Sequence, residues 1–184
     1  MKKRLLCCFL IVVAYSFNLP VYADQNVYAS NGIAINGMDA VAYFKKDNAI
    51  HGSKDFSYKW EDVVWYFESE GHMNLFIGDP ERYAPAYGGW CALAVTSMSM
   101  LYPSSPETDW TMKQDRLFFL AAGKASSWEG TADQIARGDE NFKTIGQSNQ
   151  LSRFQAQNSA EAKVSSTNQL AFRYSLSGKS VPAR

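Results

Sequence analysis

Strong metal-ligating and nucleophilic side chains are scarce in this sequence. Its 184 residues include two histidines, His51 and His72, and three cysteines, Cys7, Cys8 and Cys91. No zinc-finger spacing can be built from so few. No glycine-rich phosphate loop and no paired-carboxylate motif occurs either, so the chain carries none of the short motifs that mark those chemistries. An excess of one charge is missing as well. The formal net charge is zero, and nothing in that balance points to nucleic acid. The long apolar run is confined to Leu5 to Ala14, which is too short to cross a bilayer comfortably.

What is present begins with a leader. Lys2, Lys3 and Arg4 precede that apolar run, and Val21-Tyr22-Ala23 offers a small-residue cleavage site. This is the pattern of a secretory signal peptide over residues 1–23. Its removal takes three cations from a neutral chain, leaving a net charge of −3, and leaves no stable membrane span. A second candidate cut follows Val27-Tyr28-Ala29. The expected location is periplasmic or secreted. Cys7 and Cys8 leave with the leader, so Cys91 remains alone and cannot form an internal disulfide. Three fates stay open for it: burial as a small hydrophobe, pairing between chains, or binding a ligand.

Residues 24–32 are polar and read as a flexible segment. Asp39 is placed to cap a short helix, Ala40 to Phe44. Phe56, Tyr58 and Trp60 alternate with polar residues, and Val63 to Phe67 is apolar and β-branched or aromatic. Together they predict a hairpin that turns at Glu61-Asp62 and pairs aromatics across the ladder. Ser69 is a helix cap, and Met73, Phe76 and Ile77 follow at helical spacing, with His72 on the face of Leu75 and Phe76. Asp79-Pro80 opens a further turn of helix. Gly88-Gly89 reads as a sharp turn. Trp90 to Val95 is apolar enough for a buried strand. Trp110 to Lys113 and Leu117 to Leu120 predict a second hairpin around Gln114-Asp115, and Gly123 to Trp128 a short helix. Thr131 and Gln134 form a capping box for a last helix that buries Ile135 and Phe142. From Gly146 to Arg184 the chain is rich in Ser, Gln, Asn and Ala, with five basic residues against Glu161. That composition predicts a disordered basic tail over 146–184. Within it, Leu170, Phe172, Tyr174 and Leu176 alternate as a strand does.

Four ordered pieces of this chain resemble the exported YHS-domain proteins of bacteria: residues 35–44 (INGMDAVAYF), Trp65-Tyr66-Phe67, residues 79–85 (DPERYAP) and residues 87–92 (YGGWCA). The likeness covers about residues 33–145. It implies an α+β domain with a small antiparallel sheet and short helices. YHS domains resemble modules of metal-transporting ATPases and other metal-handling proteins and are suspected of binding metal. The motif cysteine and histidine fall here on Cys91 and His72. The paired cysteines of the ATPase-type domains have no counterpart, and Met38 and Ala40 stand where the exported family favours Tyr and Pro.

Two sets of candidate ligands follow. A thiolate and an imidazole, Cys91 and His72, suit copper or zinc if the fold brings them together. Met98 and Met100 place two thioethers on one side of an extended segment, and thioethers favour copper(I). Cys91 with His72 is also the minimum for a thiol enzyme, although no third orienting residue is marked. His51, in a polar loop, reads as solvated. Asp39, Tyr43, Tyr83 and Tyr87 are explained equally by capping and packing or by lining a pocket. The expected protein is a small exported binding protein whose ligand is a transition metal such as copper. The alternatives are a thiol-dependent enzyme using Cys91, or an interaction module that meets a protein partner through its tail.

Overall fold

The computed structural model describes residues 26–177. The leader with Cys7 and Cys8 lies outside the described residues, as do residues 178–184. Two hairpins organise the rest. Strands β3 (Ser53–Trp60) and β4 (Val63–Phe67) pair antiparallel, with Tyr58 opposite Trp65 and Trp60 opposite Val63. Strands β5 (Trp110–Lys113) and β6 (Arg116–Phe119) form a separate two-stranded sheet. Both turns manage without glycine. Glu61 and Asp62 have φ of 50° and 60°, and Gln114 and Asp115 have φ of 51° and 57°. Positive φ at both central residues is what a type I′ two-residue hairpin turn requires.

The architecture is α+β. One expected detail changes: the larger sheet is mixed, not purely antiparallel. Its order is β1 (Ala29–Ser30), β2 (Ile33–Ala34), β4, β3, and β2 runs parallel to β4. The expected flexible segment 24–32 therefore needs correcting over its described part. Val27 is buried in the core, Ala29 pairs with Ala34, and the Tyr28 N–H donates to the Gly88 carbonyl at 2.8 Å. Gly88 is required there, because a Cβ on it would lie 1.6 Å from the Asn26 carbonyl oxygen.

β6 divides the core in two. Its neighbouring side chains point to opposite faces. Leu117 and Phe119 pack with Trp65, Phe67, Phe76 and Tyr43, while Phe118 and Leu120 pack with Tyr87, Val95, Trp128 and Ile135. A strand covered on both faces reads as a continuous apolar run, which residues 117–120 are. Each large side chain buried here contributes about 1.5–3 kcal/mol.

The helices follow their caps. Asp39 caps α1 (Ala40–Lys46) and Ser69 caps α2 (Glu70–Gly78). Asp79 caps α3 (Pro80–Tyr83) through the Arg82 N–H. On α2, Phe76 is buried as expected, but Ile77 is exposed. The short helix expected over Gly123 to Trp128 is present, as a 3-10 turn over Ala125–Ser127. Two further expectations fail. Trp90 to Val95 is not a strand: only Cys91 bridges to Phe119, and helix α4 (Ala92–Met98) follows. Residues 146–177 are not disordered but continue helix α5 (Ala132–Ser177), and the alternating stretch 170–176 is helical there.

Candidate functional site

Cys91 stands where the chain leaves the Gly88-Gly89 turn and enters α4. Its N–H donates to the Tyr102 carbonyl at 2.9 Å, and its carbonyl accepts from Val95 N–H at 3.1 Å. The backbone is therefore pinned on both sides. Its sulfur accepts the Ala121 N–H at 3.3 Å. The thiol is free and only 3% of the residue is exposed.

Cys91 is nonetheless among the residues lining a cleft of about 550 Å³. The cleft lies between the outer side of α4, the loop 100–105 and the loop 121–124. Its walls include Leu93, Tyr102, Pro103 and Lys124, together with Met98 and Met100. Met98 is the last residue of α4 and Ser99 turns the chain with φ 51°, so Met100 returns to the same cleft. The two thioethers do not lie on an extended segment, as their alternation suggested. The chain reversal brings both to the cleft of Cys91. Met98 is 60% exposed and Met100 44%. No histidine and no carboxylate is among the described residues lining it.

His72 belongs elsewhere. Its Nδ1 lies 2.7 Å from Asp39 Oδ2 and its Nε2 3.5 Å from Glu68 Oε1. The expected meeting of Cys91 with His72 does not occur, since His72 is on α2 with Asp39 and Glu68, and Cys91 is bound to Tyr102 and Ala121. The three ligand atoms of Asp39, Glu68 and His72 lie within 4.8 Å of one another, a spacing that a metal ion accepts. Their remaining bonds argue for a structural network. Asp39 Oδ1 accepts from the Val41 and Ala42 N–H groups, and Oδ2 accepts from the Glu68 N–H as well as facing His72. Glu68 Oε1 holds the Lys46 ammonium at 2.6 Å. An ion at this place has to displace that ammonium and compete with a fully engaged Asp39.

The remaining candidates are structural. His51 is exposed and forms a single bridge with Met38. The Tyr43 hydroxyl donates to the Pro106 carbonyl at 2.8 Å, and burial, with the charges of Glu107 and Asp39, pushes its pKa well up. The Tyr87 hydroxyl donates to the Ile135 carbonyl at 3.1 Å. Burial foremost pushes its pKa up to about 12, with Asp139 adding to the shift and Arg116 opposing it. Tyr83 is buried against Phe44.

No protein-family model matches this chain, and no curated protein or solved structure matches it. The likeness to exported YHS-domain proteins therefore stands on its sequence motifs alone. No helix among the described residues is long and apolar enough to cross a membrane.

Proposed function

We propose that this chain is a small binding protein whose ligand is a soft transition-metal ion, copper(I) foremost, with Cys91 as the leading contact. One observation carries the reading: Cys91, Met98 and Met100, a thiol-bearing and two thioether-bearing residues, line the same cleft. Soft thiolate and thioether ligands suit copper(I), as they suit zinc and iron–sulfur clusters. Zinc sites draw on histidine and carboxylate as well as thiolate, and the cleft supplies neither, so copper is favoured over zinc. The exported YHS-like character of the sequence agrees with a protein that handles metal outside the cytoplasm. A thiol enzyme is the weaker reading, because a nucleophilic cysteine needs a base within hydrogen-bond reach. Anaerobic titration with copper(I), followed by native mass spectrometry, tests the proposal. One ion on the wild type and none on Cys91→Ser supports it. No stoichiometric binding to either form removes it.

A second reading has its own observation. Leu151, Phe154 and Val164 are exposed on α5, at 58%, 61% and 59%, which favours a protein partner along that helix. Truncation after Ile145 leaves the set of bound partners unchanged if that reading is wrong.

A further inference from the structure

The stretch 79–92 does more than cap helices and turn the chain. Glu81, Arg82, Pro85 and Tyr87 all line one cleft of about 350 Å³. Trp60, the last residue of β3, lines it too, as do Phe142 and Lys143 of α5. Such a volume falls within the range of small-molecule sites, roughly 300–1,000 Å³. The cleft is separate from that of Cys91, and the two share no lining residue.

Its walls are held in place from behind. The Trp60 ring packs against those of Trp65 and Phe76, with centroids 5.7 Å away in each case. The Tyr87 ring lies 5.9 Å from that of Phe142. Arg116 also lines the cleft, but its charge is matched within the wall. It donates to both carboxylate oxygens of Asp139, at 3.1 and 2.8 Å.

The charges that remain do not cancel. Arg82 and Lys143 make no ion pair among the described residues, and Glu81 makes none either. The cleft therefore presents two available cations against one carboxylate. Beside them runs an apolar wall of Trp60, Pro85 and Phe142. A surplus of one positive charge next to aromatic rings matches a ligand with one negative charge and a flat apolar body.

We infer that this cleft binds a small organic monocarboxylate with an aromatic body. Its carboxylate accepts charge-assisted hydrogen bonds from Arg82 and Lys143. Its ring meets Trp60 and Phe142, where aromatic pairing adds to the burial of apolar surface. Glu81 opposes any further negative charge on the ligand.

The test uses three probes of one skeleton: 3-phenylpropionate, its neutral amide, and phenylalanine. Each is titrated into the full chain and followed by two-dimensional NMR. The carboxylate is expected to saturate the protein at about millimolar concentration, as suits a ligand of this size. The shifts fall on the Trp60 indole and the amides of residues 84–88. The amide and phenylalanine bind about tenfold more weakly. Arg82→Gln/Lys143→Gln changes two exposed residues and leaves the unfolding midpoint in place. It weakens binding of the carboxylate about tenfold. Glu81→Gln strengthens it about threefold. Cys91→Ser leaves it unchanged, because this site does not rest on the copper reading. Equal binding of carboxylate and amide overturns the proposal, as does an unchanged affinity in the double variant. Phenylalanine binding more tightly than phenylpropionate overturns the preference for a monoanion. Shifts confined to other parts of the chain, or no saturation up to about 50 mM, overturn the site itself.

Discussion

Asp39 and His72, thirty-three positions apart in the chain, meet at 2.7 Å between Oδ2 and Nδ1. The aspartate is completely buried. It joins the start of α1, the backbone at Glu68 and the first turn of α2 through one carboxylate.

Removing that carboxylate leaves several buried donors unpaired. Asp39→Ala is expected to cost about 3–5 kcal/mol, the range for breaking a buried pair by deleting one partner. Asp39→Asn, which retains an acceptor for the α1 cap, costs less. Urea unfolding measures both. A loss under about 1 kcal/mol for Asp39→Ala contradicts the structural role given to this network.

Gly138 lies on α5 where it crosses α4. A Cβ there would sit 2.2 Å from the Tyr87 hydroxyl oxygen and 2.7 Å from Thr96 Cγ2. In an exposed helix, glycine to alanine gains about 1 kcal/mol. Here the sign reverses, and Gly138→Ala loses about 1–3 kcal/mol through overpacking. Thermal and denaturant unfolding both read this change, and a stabilised variant contradicts the close crossing.

Stability should fall at both ends of the pH scale, for identifiable reasons. The Thr108 hydroxyl, and then the N–H groups of Gly123, Ala125 and Lys124, hold the Asp109 carboxyl below its usual range. A depressed folded pKa gives stability that is full above the unfolded value, about 3.9, and is lost as pH falls through the folded value. Tyr87 behaves in the opposite sense. With its pKa raised to about 12, its contribution is full below the unfolded value, about 10, and is lost as pH rises through the folded one. Asp109→Asn is expected to flatten the acid limb of the stability curve and Tyr87→Phe the alkaline limb. Curves that keep their shape in these variants contradict the assignments.

If a leader is cut, the two candidate sites differ in consequence. Cleavage after Ala29 discards Val27, which is buried in the core, and half of β1. Cleavage after Ala23 spares both. Intact-mass analysis of the exported protein is expected to show loss of 23 residues, the length of the leader that ends at Ala23. A stable, folded product beginning at Ser30 contradicts the role given to residues 26–29.

Local signals carried most of the fold in the sequence. Asp39, Ser69 and Asp79 are caps because a short acceptor precedes a helical stretch; the first hairpin is legible from the alternation of 56–60 and the apolar run 63–67, the second from the stretches either side of Gln114-Asp115. Where the same residues serve two structures, the reading fails. An apolar run such as 90–95 suits a strand or a buried helix; here it enters α4, which packs against α5 where Gly138 leaves no Cβ in the way of Thr96. Composition misled at the tail for a related reason. Residues 147–177 are polar but contain no Gly or Pro, and their Ala, Gln, Leu, Lys and Arg are good helix formers; the hydroxyls of Thr144, Ser148, Ser152 and Ser159 donate to carbonyls four residues back. The candidate site was legible only in parts. Cys91, Met98 and Met100 were each visible, but their shared cleft depends on a reversal at Ser99 that no glycine marks. His72 resembled a partner for Cys91 only while Asp39 and Glu68 were not yet seen beside it.

The central claim is that sulfur alone holds the ion. X-ray absorption at the copper edge, on protein loaded with one equivalent of copper(I), tests it most directly. The account predicts a coordination sphere of sulfur, lost in Cys91→Ser. Nitrogen or oxygen neighbours that persist in that variant and vanish in His72→Ala would place the metal at Asp39, Glu68 and His72 instead, and contradict it.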